Sequence, residues 1–158
     1  MKRITHVHPS TKTIDLALLV LRVGIAALML THGLPKLMSL TSGEPVAFLS
    51  VWGMSPALTL SLVVFAEVAC SILLLVGFVT RLAVVPLIIT MLVAVFSIHA
   101  ADPFAKQELG LMYLLVYAGL LLAGSGRYSV DGLLQQNQRA YGTQRPAVQR
   151  RYPRPEVR

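Results

Sequence analysis

Apolar positions cluster in four long stretches, Ile14–Met38, Pro56–Val79, Leu82–His99 and Glu108–Gly124, separated by short polar segments. A helix needs roughly 17–25 residues to cross the hydrocarbon core, and all four stretches reach that length, the last one narrowly. In lipid every backbone amide must find its partner inside the protein, so the choice is between helices and a closed barrel. No stretch alternates apolar and polar residues as a barrel strand would. The pattern therefore predicts an all-α, four-helix transmembrane bundle. Its connections are "SLTSGEPVAFLSVWGMS" (Ser39–Ser55), "GFVTR" (Gly77–Arg81), "AADPFAKQ" (Ala100–Gln107) and the closing "GSGRYSVDG" (Gly124–Gly132). The longest is expected to carry a short interfacial helix around Val46–Trp52, with Trp52 as a headgroup-level anchor. Three regions follow: a basic N-terminal arm (1–13), a four-span membrane domain (14–134) and a tail (135–158) rich in Gln, Arg and Pro, expected to be disordered.

Composition sharpens this reading. Of the 158 residues, 55% are hydrophobic and 13% charged, against soluble averages of roughly 45–50% and 25%. The mean hydropathy is +0.68. The formal net charge of +7 sits mostly at the ends. Lys2, Arg3 and Lys12 precede the first span, and seven arginines from Arg127 onward oppose only Asp131 and Glu156. Arg81 lies in the turn between spans two and three. Basic loops stay on the cytoplasmic side, so both termini are expected in the cytoplasm, with the lipid bilayer as the partner. The basic tail carries no nucleic-acid-binding motif, and nucleic acid is not an expected partner. A solvated tail and one that touches anionic lipid both remain open. The lone cysteine, Cys70, has no partner for a disulfide and no CxxC context, and reads as a small packing residue.

A few ionisable residues interrupt the apolar spans. Such groups are costly in hydrocarbon and normally face the bundle interior. Arg22 lies about 10 Å inside the first span and Glu67 about 15 Å from the same side, by helix rise. An Arg22–Glu67 pair is expected. It would either register the helices or handle a proton or ligand. At the other end His32 and Lys36 share a helix face, four residues apart. His99 on the third span matches His32 in depth, with Asp102 in the next loop and Glu108 opening the fourth span. These five should meet near the outer face. Two imidazoles with two carboxylates can move protons, bind a transition metal, or hydrogen-bond the carbonyls of a quinone head group. Simpler roles stand beside these. Asp102 can cap a turn, Glu108 can favour a helix dipole, and Lys36 can reach toward headgroups. No HxxxH or CxxC pattern supports a metal. Tyr113 and Tyr117 read as buried hydroxyls. Gly24, Gly77 and Gly119 read as sites of close helix contact or tight turns.

The chain resembles the DoxX family of bacterial membrane proteins from about Asp15 to Leu134. The resemblance rests on Arg22, the "HG" of His32–Gly33, Lys36, Glu67, "GFVTR", His99, "DPF" and the "GxGRYSxD" close, taken together. It implies a four-helix protein of the bacterial cytoplasmic (inner) membrane. Family members are described as oxidoreductases, and founding examples are linked to a thiosulfate:quinone oxidoreductase. Others are associated with thiol and oxidative-stress systems. The expectation is a quinone-linked oxidoreductase, or a membrane subunit of one, with quinone as the suspected cofactor and a redox partner protein. His32, Glu67, His99 and Glu108 are the expected catalytic residues, and Arg22, Lys36 and Asp102 the expected binding residues. No sulfur-handling cysteine pair and no dinucleotide fingerprint is present. A small-solute or proton transporter, and a scaffold that recruits a stress-response partner, are the alternatives.

Overall fold

The computed structural model describes residues 10–143, with side chains described through residue 138. Four helices are long and apolar enough to span a membrane: α1 (Thr11–Thr41), α2 (Pro56–Val76), α3 (Thr80–Ile98) and α4 (Phe104–Ala123). A fifth, α5 (Val130–Thr143), follows. No strand occurs among the described residues.

Local chemistry sets the helix ends. Ser10 and Ser55 cap α1 and α2, each side-chain oxygen accepting an amide three residues on. These bonds satisfy donors that the first turn leaves free. Pro56 fits the first turn of α2, where its missing N–H costs nothing. α2 stops at Gly77, whose φ of +72° closes a left-handed cap, and the Gly77 and Phe78 amides bond back to the Leu73 carbonyl. That cap is the usual province of glycine.

The helices run antiparallel and bury a core of Ala26, Met29, Cys70, Leu74, Val84, Leu87, Met91, Tyr113, Tyr117 and Leu120. Large apolar side chains also cover the outside, among them Val20, Leu28, Phe65, Leu82, Phe96, Leu115 and Leu122. An apolar exterior of this kind suits acyl chains, not water. One end of the bundle gathers the start of α1, the α2–α3 turn and the α4–α5 connection; it is here called the arginine end. The other, the histidine end, carries the long loop and the α3–α4 loop.

Several details depart from the pattern-based expectation. α4 begins at Phe104, before Glu108. Residues 46–50 form no helix, and Trp52 is exposed in a turn. α5 extends to Thr143, through the first part of the segment expected to be disordered. The rest of that segment, and residues 1–9 of the arm, lie outside the described residues.

Two stretches widen into π-helix, Phe65–Cys70 within α2 and Ala94–Ile98 at the end of α3. Such bulges are rare and tend to accompany sites of function. Of the glycines expected at close contacts or tight turns, Gly77 is one, at the turn after α2 and against Arg22. Nothing stands within 4 Å of a Cβ built on Gly24 or Gly119. At Gly33 a Cβ would come 2.8 Å from Val68 Cγ2 and 3.0 Å from Glu67 Cβ. Gly33 thus lets α1 lie directly on the π segment that holds Glu67. Gly33→Ala should cost about 1–3 kcal/mol by overpacking, whereas Gly24→Ala should be nearly silent. Thermal unfolding of both variants in detergent checks this.

Candidate functional site

At the histidine end, α1, α2, α3 and α4 enclose a cavity of about 200 Å³. His32 and Lys36 reach it from α1, Glu67 from the π segment of α2, His99 from the end of α3, and Lys106 and Tyr113 from α4. Met29, Met91 and Val95 form apolar wall.

Its central contact is between Lys36 Nζ and Glu67 Oε1, at 2.5 Å. The Glu67 side chain is 3% exposed and that of Lys36 is 32%. A carboxylate so deeply placed needs its cation, since an isolated charge in low dielectric is strongly disfavoured. Yet Glu67 spends only one oxygen on the pair. Oε2 is buried and has no hydrogen-bond partner. The hydroxyls of Ser71, one turn along α2, and of Tyr117, one turn along α4 from Tyr113, are also buried and unpartnered. Most buried polar groups are satisfied, so an acceptor left over on a residue that lines the cavity is chemically informative.

His99 is oriented from behind. Its Nδ1 lies 2.7 Å from Asp102 Oδ2, and Lys106 Nζ lies 3.3 Å from the other Asp102 oxygen. With Nδ1–H donating to Asp102, Nε2 is left for the cavity, the arrangement by which a carboxylate selects an imidazole tautomer. Gln107 Nε2 ties the loop by donating to the His99 and Asp102 carbonyls. His32 meets the Tyr113 ring edge-on, with centroids 6.1 Å apart.

Hydrogen bonds from His99, and then from Lys106, hold the Asp102 carboxyl below its ordinary range. The folded value is lower than the unfolded one. The loop's stabilisation by this group is therefore complete above the ordinary carboxylate range and is lost only as pH falls through the depressed value. Amide exchange of residues 99–107 should stay protected from pH 7 to pH 5 and open only in strong acid. Asp102→Asn should expose the segment already at pH 7.

The Arg22–Glu67 pair expected from depth does not form. Arg22 is buried but points the other way. Its Nη1 donates to the Ser125 carbonyl (3.1 Å) and its Nη2 to the Tyr128 carbonyl (2.7 Å). Its guanidinium lies over Gly77, where any Cβ would overlap it. Gly77 is ten residues along α2 from Glu67, about 15 Å by helix rise. Arg22 is thus no part of the cavity it was expected to serve.

Around Arg22 the segments that carry the arginine-end motifs form a latch. Asp131 accepts from the Val79 amide (2.8 Å) and the Thr80 amide (3.1 Å), capping α3. Asp15 accepts from the Arg127 amide (3.0 Å), and Arg81 donates to the Leu122 carbonyl (3.1 Å). Val79 itself sits at φ +49°, held there by the turn. "GFVTR" and "GSGRYSVD" are thereby a structural clasp between helix ends.

The cluster expected near the outer face assembles in part. His32, Lys36 and His99 share one cavity, joined by Glu67, and Asp102 stands behind His99. Glu108 is exposed and does not line the cavity, because α4 begins four residues before it and turns it outward. Lys106, one turn from Asp102 and on the cavity wall, was not anticipated. Its signal was the Asp102/Lys106 spacing of four. Tyr113 was noted in the sequence, but nothing there placed it on this wall. Among the described residues, no three His, Cys, Asp or Glu side chains gather as a metal ligand set.

Comparison with known proteins gives one match. The DoxX family model covers residues 17–100, from the first span through the end of the third. No curated protein and no solved structure matches the chain.

Proposed function

The chain belongs to the DoxX family, and on that premise we propose that it is a quinone-linked redox protein of a bacterial inner membrane, or the membrane subunit of such a complex. The observation that carries this reading is the unpartnered, buried Oε2 of Glu67 beside a cavity that also holds Lys36 and both histidines. The residues suit a quinone head. Lys36 and the imidazoles offer donors for carbonyl oxygens, Glu67 offers an acceptor for a hydroxyl, and Tyr113, Met29 and Met91 offer apolar contact. Pockets for drug-sized ligands run to roughly 300–1,000 Å³, so a space of about 200 Å³ suits one ring, with any tail left among the lipids.

When bound, a quinone would supply the electron chemistry, taking up two electrons and two protons on reduction. The protein's own groups manage the protons. Glu67 accepts or returns one while Lys36 compensates its charge. His99, held by Asp102, offers Nε2 as a second station, and His32 stands at the more exposed rim. Close packing around the carboxylate keeps water from competing for it. Electrons would come from a partner protein or a soluble reductant, since the sequence carries no dinucleotide or redox-cysteine motif.

Purified protein incubated with a short-chain quinone and candidate reductants, thiols among them, tests this. Turnover should depend on Glu67 and His99, and Glu67→Gln should lower kcat by roughly 10²–10⁴-fold as expected for a general acid–base group, with the fold retained. Absence of quinone binding and turnover, together with solute flux in proteoliposomes, would favour the transport reading instead.

A further inference from the structure

We propose that α5 is an in-plane anchor whose apolar face docks on an anionic lipid leaflet. Val130, Leu133 and Leu134 fall at i, i+3 and i+4, one face of the helix. Leu133 and Leu134 on that face are 60% and 48% exposed. Asp131, Gly132, Gln135 and Gln136 occupy the other side and turn toward the bundle. They line a cavity of about 920 Å³ together with Thr11, Asp15, Arg81 and Arg127.

Among the described residues, the helix is fixed at its start. The Asp131 amide donates to the Gly77 carbonyl (3.0 Å), and the Gly132 amide to Ser129 Oγ (2.9 Å). Asp131 also caps α3. Beyond this turn α5 makes no extended contact with the bundle among the described residues. The tether places its first turn level with the last turn of α2 and the first turn of α3, where the spans leave the hydrocarbon. At that level Phe78 and Tyr128 also present large exposed side chains, whereas Leu82 lines the cavity on the polar side of α5. Charge supports the same occupant. From Arg127 to the end the sequence holds seven arginines against Asp131 and Glu156, and basic segments beside a membrane are drawn to anionic headgroups. A strongly amphipathic helix of low overall hydrophobicity is the type that lies in the interface.

The test uses the full chain with Cys70→Ala and a single spin label at Leu134→Cys. It is reconstituted in vesicles of phosphatidylcholine alone and of phosphatidylcholine mixed with phosphatidylglycerol. In the mixed vesicles the label should gain oxygen accessibility and lose accessibility to a water-soluble nickel chelate. A label at Gln135→Cys should remain nickel-accessible. Leu133→Asp should return the Leu134→Cys label to water while the four spans stay folded by circular dichroism. The proposal is overturned if the Leu134→Cys label is equally water-accessible in both vesicles, or equally deep in both. It is also overturned if dipolar coupling between labels shows that a second copy covers the face.

Discussion

Gly77→Ala is expected to remove most folded protein from the membrane fraction. The residue holds φ at +72°, and placing a side chain in that left-handed region costs about 1–2 kcal/mol. A Cβ there would overlap the Arg22 guanidinium and lie 2.6 Å from Ser129 Cβ. Arg22 would have to leave its two carbonyl partners, and bonds to a charged group contribute about 1.5–3 kcal/mol each. A buried guanidinium without partners is then worse than none. Together these terms exceed about 4 kcal/mol, a large part of an ordinary domain's 5–15. Arg22→Lys should fail in the same direction, because a single ammonium cannot span the Ser125 and Tyr128 carbonyls as the planar fork does. Membrane abundance and unfolding temperature in detergent report both, with Gly24→Ala as the neutral comparison.

Glu67→Ala is expected to be nearly as damaging, for a different reason. It leaves the Lys36 ammonium without its partner; breaking a fully buried pair by deleting one member costs about 3–5 kcal/mol, and because the Lys36 side chain is 32% exposed the cost here falls toward the lower end of that range. Replacing both members removes that penalty, so Lys36→Met combined with Glu67→Leu should restore accumulation. The double variant then separates stability from function: it should fold and bind no quinone analogue. If it folds and binds as the native protein does, the pair serves only to register α1 against α2. Glu67→Gln keeps the shape and an acceptor oxygen. It should accumulate better than Glu67→Ala yet lose at least tenfold in ligand affinity, about 1.4 kcal/mol or more.

The four spans were legible because hydrophobic length alone specifies them in lipid. So was the meeting of His32, Lys36 and His99, since helix rise puts the two histidines at one depth and Lys36 shares the helix face of His32. Depth without direction does not place Arg22. Side chains on a helix lean toward its N-terminus. On α1 that lean carries Arg22 toward the arginine end, away from Glu67, and carries Lys36 inward to it. The correct partner could have been chosen on that ground. Other features left no mark in one sequence. The π segments that present Glu67 and end at His99 depend on tertiary packing, as does the contact of Gly33 with α2. The latch was visible only as "GFVTR" and "GSGRYSVD". Its logic, a carboxylate on one segment capping a helix on another, spans 51 residues between Thr80 and Asp131. Glu108 looked like a cluster member from its position alone, and an earlier helix start turned it outward.

The most direct test of the account is photo-crosslinking of a short-chain azidoquinone to the purified native protein, followed by mapping of the modified peptides. Label should appear on residues 29–36, 91–99 and 106–113, compete with unmodified quinone, and disappear in the Lys36→Met, Glu67→Leu double variant. Label confined to the outer lipid-facing surface, or unchanged by that double variant, would contradict it.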